Sequence, residues 1–501
     1  MPLRALRITA GLLLVFTFPA FAASSPSTAD ELNATVSSSE AEVAKEHVEA
    51  PAHLPASDAS QESSTVEDSA AFQHLRSRVE ELKAQLEEQR TASTPVRFNG
   101  SGLRIQSQEG RYWMQLNAYG QFAYKALPAR NTHFANIYDA GDYFDADSDT
   151  YIDSDLRKYR SGLMLRRMRP SLRFGLGEDL VFRLEIDVGG SGLRLYTATV
   201  TGRLHERVSI TAGLQKPLFN LEHNQSSRNT GYLERSYLSQ FVPQRDLGVA
   251  VTVDPVDLLR IELGVFNGGG DNAVNSDIHF RSPEFQARVR VLDASATAAD
   301  TAYSYQVGGA LHYGNTYPSE GRTNIESGRG IYRPKSYGGR ALPQVGDNLF
   351  HAGGPRLRAT GFGYVSYGGF SLLSEYLYSS TALRDTTGAK ADALQLHSGH
   401  VALSYTVGGN ASFQGIKPTR TVHDGGLGAL EIKARYSGVR FQNDALETPD
   451  IDNASLALAW WASPHVRLQS EYHLSFFRQG GLSDTWMDRE HLLLVSLTLG
   501  F

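Results

Sequence analysis

The sequence predicts an all-β fold: a 16-stranded antiparallel transmembrane β-barrel, preceded by a short N-terminal helical (coiled-coil) segment. Three observations predict it. From Arg97 onward, apolar and polar residues alternate in segments of about ten residues, the pattern of strands with lipid on one side and water on the other. The polar face is repeatedly charged, as in Arg183, Glu185 and Asp187 along one strand, whereas the inward face of a soluble sandwich is apolar. The final residues, His491 to Phe501, form one more alternating strand that ends on an aromatic residue. A strand that closes a sheet on its first partner has this form, because a membrane barrel leaves no edge unpaired.

At the N-terminus, Arg4 and Arg7 precede the apolar run Ile8 to Phe18, and Ala20-Phe21-Ala22 supplies a small-residue cleavage site. Residues 1–22 therefore read as a signal peptide, and the protein as exported to the outer membrane of a Gram-negative bacterium. Residues 23–70 are rich in Ser, Ala, Pro and Glu and nearly free of aromatics, a disordered periplasmic linker by composition. Over 71–92, Phe72, Leu75, Val79, Leu82 and Leu86 are spaced by three and four residues. That seam has two readings, an exposed amphipathic helix or a small coiled coil. It is too short to associate alone, so the second needs barrels that already hold three chains together. Pro95 ends it.

Residues 97–501 form the barrel. Its strands are expected at 112–124, 162–176, 180–188, 193–203, 207–215, 247–253, 258–266, 284–292, 303–313, 356–367, 370–379, 394–407, 429–440, 454–461, 466–477 and 491–501. Sixteen strands enclose an aqueous channel rather than a packed core, and even parity puts both ends of the barrel in the periplasm. Short turns at 177–179, 254–257, 368–369 and 463–464 fall on one side. Long connections at 125–161, 216–246, 267–283, 314–355, 441–453 and 478–490 fall on the other. Only 408–428 breaks the rule, long yet on the short-turn side: an unusual turn, or misplaced strand ends.

Charge is informative only by region. The chain carries a net −6, but residues 1–95 hold 7 basic and 14 acidic groups, leaving 41 and 40 for the barrel. Any anion preference must come from where charges sit. With no cysteine, disulfides and thiolate metal sites are excluded.

Three inward rows carry cations at period two: Arg167, Arg169 and Arg173; Arg288 and Arg290; Lys433 and Arg435. Side chains on one face recur about 6.6 Å apart along a strand, so such a row offers an anion successive shallow sites. Equally, these cations could be paired with Glu185, Asp187, Glu431 and Glu471. The segment 213–248 is too long for an ordinary hairpin loop. Folded inward, it would bring Lys216, Arg228, Arg235 and Arg245 to a constriction, with Glu222, Glu234 and Asp246. Folded outward, it would cover the rim.

Its motif Gly213-Leu-Gln-Lys216-Pro217-Leu-Phe219-Asn-Leu-Glu222, followed by Ser226-Ser227-Arg228 and Leu233-Glu234-Arg235-Ser236, resembles the signature of the phosphate-selective porin O/P family. Arg166-Arg167-Met168-Arg169-Pro170 is similar to the family's basic second strand, and Gly428 to Ser437 to a late-strand motif. The resemblance covers about 97–501. It implies a homotrimeric porin, a third loop lining an anion-selective constriction, an arginine ladder, and phosphate or polyphosphate among the small anions carried. The family's best-known members place a lysine cluster at the constriction; here Lys216 is the only lysine of that loop. The fifth loop offers Arg322, Arg329, Arg333, Lys335 and Arg340. Phe501 resembles the C-terminal signal read by the barrel-assembly machinery.

Other signals are weak. Asp145-Ala-Asp147-Ser-Asp149 resembles an EF-hand start, but Thr150 stands where glycine is needed and Leu156 where glutamate is. His397 and His400 fall on opposite faces of a strand. No cofactor or metal is expected, no nucleic-acid stripe appears, and no hydrolase motif suggests a barrel enzyme. The alternative to an anion porin is a general or weakly selective channel that also tethers the envelope.

Overall fold

The computed structural model describes residues 70–92, 96–99, 102–127, 161–189, 192–243, 245–268, 283–293, 303–316, 336–337, 350–385, 387–443, 448–480 and 487–501. The signal peptide, the linker up to residue 69, the acidic run at 145–149 and the five basic residues of the fifth loop lie outside them. Residues Ala70–Ala92 form helix α1, with Leu75, Val79 and Leu82 exposed and surface ion pairs Arg78–Glu81 and Lys83–Glu80 beside them. No helix among the described residues is long and apolar enough to cross a membrane.

The strands are β1 (Val96–Asn99), β2 (Gly102–Gln106), β3 (Tyr112–Ala126), β4 (Gly162–Leu176), β5 (Leu180–Asp187), β6 (Arg194–His205), β7 (Val208–Gln215), β8 (Asp246–Val256), β9 (Leu259–Phe266), β10 (Glu284–Leu292), β11 (Tyr303–Thr316), β12 (Phe350–Tyr367), β13 (Phe370–Asp385), β14 (Lys390–Val407), β15 (Gly409–Ser412), β16 (Gly415–Pro418), β17 (Ala429–Gln442), β18 (Thr448–Ser463), β19 (Val466–Gly480) and β20 (Met487–Gly500). Sixteen of them, β3–β14 and β17–β20, pair in sequence order, all antiparallel. β20 then pairs with β3, Leu493 opposite Ala126 through Gly500 opposite Tyr119, and closes the barrel. Phe501 adds backbone bonds to Ala118. The sixteen predicted segments each fall on one of these strands.

The short β1–β2 hairpin lies outside all sixteen predicted strands. β2 pairs with Trp113–Leu116 of β3, below the point where β20 ends, so the start of β3 is not left as a bare edge. Phe98 of β1 meets the Phe501 ring at 6.0 Å.

Outside, the barrel presents Leu263, Val265, Val289, Leu311, Leu403, Ile432 and Leu456, all exposed as a lipid-facing band requires. Tyr367, Phe370 and Tyr405 crowd the short-turn end of β12–β14, with Phe370 and Tyr405 ring centres 4.5 Å apart, as in an aromatic girdle.

The anomalous connection 408–428 resolves into a second inward segment. β15 and β16 form a hairpin of their own, separate from the barrel sheet. Ala411 and Ile416 pack on Ala429, Ala459 and Trp461 of the inner wall, and Phe413 packs with Leu221, Phe362 and Tyr364. Gly428 permits the return: it has φ +74, and a Cβ there would lie 2.2 Å from the Trp461 carbonyl oxygen.

Candidate anion constriction

The loop after β7, residues 216–245 and here called L3, folds into the barrel. Gly213 prepares the bend: its φ is +122, and a Cβ would meet the Ala198 carbonyl oxygen at 2.1 Å. The force that draws L3 inward is apolar. Phe219, Tyr237, Leu238, Phe241 and Val242 are buried against Leu377, Leu383, Leu396, Val439, Phe441, Ile451 and Phe477 of the wall. Each large side chain so buried stabilises the docking by roughly 1.5–3 kcal/mol.

Polar contacts then fix its register. L3 contains one short helix, α2 (Leu221–Asn224), whose first N–H groups point at the Glu375 carboxylate of β13. Arg167 donates to the Leu233 carbonyl at 3.0 Å and to Gln121 at 2.7 Å. Arg467 and Gln469 of β19 reach the carbonyls of Thr230 and Gly231 at 2.8 and 2.9 Å. Arg435 spans Glu222 at 3.3 Å, the Glu234 carbonyl at 3.0 Å and the Tyr337 hydroxyl at 3.1 Å. From the short-turn side, the β15–β16 hairpin accepts Gln225 at the Phe413 carbonyl, 2.7 Å away.

Alternation assigns Arg166 to the lipid side, and the structure does not. The β3–β4 register slips between Gln121 and Phe122, so Arg166 has no partner and bulges. A bulge re-aims a side chain, and Arg166 turns to make a bidentate pair with Glu234 of L3. Sequence alone carries no sign of this slip beyond two adjacent arginines.

The predicted cations thus divide into two groups. Arg288 and Arg290 both bond Glu262, at 2.6 and 3.1 Å, and Lys433 bonds Glu431 at 3.2 Å. Arg435 pairs with Glu222 rather than Glu431 or Glu471. Across that wall Arg358 and Arg356 pair with Glu284. These rows are neutralised by carboxylates.

The wall of β4–β6 differs. Arg173 of β4 and Arg183 of β5 stand directly opposite each other on the inner face, where like charges destabilise a sheet. Arg173 is exposed, and the Arg183 side chain is 41% exposed while bonded to Glu185 at 2.6 Å. Beyond them, Arg169 and Arg245 both lie on the Tyr196 ring, at 3.5 and 3.2 Å, which puts them on its opposite faces. Arg169 also pairs with Asp187 at 2.6 Å and touches Ser227 of L3. From L3, Arg235 bonds the carbonyls of Glu222 and Gln225, and Lys216 those of Asn224 and Gln225. Arg228 is half-buried beside Gly500, where a Cβ would lie 2.9 Å from its Cδ. Of the cations on this side of the lumen, Arg169, Arg173, Arg235, Arg245 and Lys216 are among the predicted site residues and Arg183 is not, although its facing of Arg173 follows from the three-residue turn.

Lys216 is the titratable member. Burial, and then the charges of Arg245 and Arg235, hold its ammonium well below the usual 10.5. The ammonium is therefore charged at low pH and lost before pH reaches 10.5. Anion preference should fall as pH rises over that range, and Lys216→Gln should flatten the dependence. A zero-current potential measured against pH checks this; equal slopes in both proteins would refute it.

Among solved structures, OmpT of Vibrio cholerae (in-vitro folded, trimer form) is 9% identical, with 78% of this chain and 99% of that chain covered and a TM-score of 0.43. The outer membrane channel DcaP of Acinetobacter baumannii gives 11%, 79%, 99% and 0.45, and an anion-selective porin from Comamonas acidovorans 14%, 78%, 100% and 0.43. No curated protein sequence matches the chain. The phosphate-selective porin O and P family matches residues 140–478, a span that runs from before β4 into β19 and includes all of L3. With that span covering well over half of the chain, this closed sixteen-stranded barrel belongs to the phosphate-selective porin O and P family and is an outer-membrane porin.

Proposed function

We propose that this porin conducts small anions passively, along the side of the lumen where L3 faces β4–β6. The opposition of Arg173 and Arg183 carries the reading. Two adjacent guanidiniums on a wet wall cost stability, and their use is to hold positive potential where a solute passes. Arg169, Arg235, Arg245 and Lys216 extend that potential, against Glu185 and Asp187. Guanidiniums stay charged at any relevant pH and offer paired donors to phosphate oxygens.

A single lysine at this narrowing favours weak, multi-site binding over a tight phosphate site. The cargo is thus inorganic phosphate, polyphosphate or organic anions held briefly enough to leave. The neutralised rows of β9–β10 and β17 favour a second reading, a channel of low selectivity. In the full reading the chain assembles as a homotrimer, with the short turns and the N-terminal segment periplasmic and Phe501 read by the barrel-assembly machinery.

Single-channel current in planar bilayers tests the proposal. In chloride, the zero-current potential across a salt gradient should report anion preference, and added phosphate should reduce the chloride current in a saturable way. Cation preference would overturn it. Anion preference without phosphate block would restrict the cargo to monovalent or organic anions.

A further inference from the structure

Under L3, on the side away from the arginine cluster, three potential metal ligands meet. Glu222 of L3, Glu375 of β13 and His400 of β14 each bring one ligand atom to within 4.8 Å of the others, and all three are buried. The geometry points to a site for a divalent transition-metal cation such as Zn²⁺, one that ties L3 to the barrel wall.

Charge and hydrogen bonding both leave room for it. Buried Glu262, Glu284 and Glu222 each have an arginine partner. Glu375, its side chain fully buried, has neither arginine nor lysine among the described residues; His400 stands 3.9 Å away. Both ring nitrogens of His400 lack a hydrogen-bond partner, although the ring is buried. An imidazole so placed is costly unless something binds it. At the observed 3.9 Å, a proton on Glu375 would neutralise the carboxylate without bonding His400 Nδ1. A metal ion would neutralise Glu375 and bind one ring nitrogen of His400.

The surroundings suit a coordinated carboxylate. Glu375 Oε1 accepts the N–H groups of Leu221 and Glu222, while among the described residues Oε2 accepts only Asn220 Nδ2 at 2.9 Å. One lone pair of Oε2, the oxygen nearest His400, therefore stays open. Glu222 is held by Ser236 and Ser239, outer contacts of the kind that orient metal ligands, and the ion would share its Oε1 with Arg435, 3.3 Å away. Zinc bonds of about 2.0–2.2 Å bring tetrahedral ligands to roughly 3.3 Å from one another, so modest side-chain movement completes the site. A cavity of about 70 Å³ borders Glu222 but is lined by neither Glu375 nor His400, so a water as fourth ligand would have to enter from the Glu222 side. Because Lys433 and Arg435 line that cavity, the ion is best captured as L3 docks rather than by later diffusion.

The test refolds the full-length protein into detergent with Zn²⁺ or Co²⁺, removes loosely held metal, and measures metal content together with the visible Co²⁺ spectrum. The wild-type protein should retain about one equivalent and show tetrahedral Co²⁺ bands. Since outer-contact losses alone cost 10–100-fold in affinity, His400→Gln and Glu375→Gln should each weaken binding by at least about tenfold. Heat-modifiable electrophoretic mobility verifies that each variant is folded. Absence of retained metal in folded wild-type protein would overturn the proposal, as would an unchanged Co²⁺ spectrum in folded His400→Gln. Neither readout depends on ion selectivity.

Discussion

Replacing Arg173 and Arg183 together by glutamate should abolish anion preference and turn the channel toward cations. The pair faces the lumen in register, and the double change alters the local charge by four units. In a water-filled pore, unit charges about 7 Å apart interact by about 0.6 kcal/mol, roughly halved by salt at about 0.1 M. Four units then shift the energy of a passing anion by roughly 1.2 kcal/mol, about tenfold in partition, with the opposite shift for a cation. The zero-current potential across a KCl gradient should change sign. Glutamine at both positions should give an intermediate value. An unchanged potential in folded double-glutamate channels would remove β4–β5 from the anion route.

Arg435→Met should loosen L3. Arg435 has a fully buried side chain, pairs with Glu222, and lies 4.2 Å from the Tyr232 ring centre. Removing one partner of a buried ion pair costs roughly 3–5 kcal/mol, because the other charge is left uncompensated. The barrel ladder is independently hydrogen-bonded, so the loss should appear as local release of L3 rather than global unfolding. Open-channel conductance should rise and become noisy, and L3 should become cleavable by protease. Adding Glu222→Gln should recover part of the loss, since it removes the stranded charge. Wild-type conductance with a protease-resistant L3 would show that the apolar contacts of Phe219, Tyr237 and Phe241 suffice.

The Glu222 contribution to L3 docking has a definite pH dependence. Burial would raise the Glu222 carboxyl, but His400, Arg435 and the Ser236 donors together hold it at about 2, below the ordinary 4.5. A lowered carboxyl contributes stability that is complete above pH 4.5 and lost as pH falls through about 2. Glu222 itself therefore keeps L3 docked under mildly acidic conditions, whereas His223 of L3, held well below the usual 6.5 by burial and then by Arg235, weakens docking as pH falls below 6.5.

How much of this was legible follows from what imposes each pattern. Lipid and water face every barrel strand, so β4 and β10 could be bounded to the residue. Four-residue strands such as β1 and β15 carry no readable period, and the β15–β16 hairpin is recognised only by what Phe413 and Ile416 touch. The basic residues of 213–248 were visible as a group, but the apolar stripe from Tyr237 to Val242, which brings L3 inside, was not singled out.

The sequence by itself determined the barrel, its strand count, its closure through the last strand and the presence of a charged lumen. These depend on local alternation, which a one-residue shift would invert throughout a strand. Tertiary structure alone decided which charges are free. Arg167, Arg288, Lys433 and Arg435 look equivalent to Arg173 and Arg183 along the chain. They differ because Glu262 reaches Arg288, Glu431 reaches Lys433, and L3 reaches Arg167 and Arg435 through the Leu233 and Glu234 carbonyls and Glu222, while Arg173 faces Arg183, whose bonded carboxylate is Glu185.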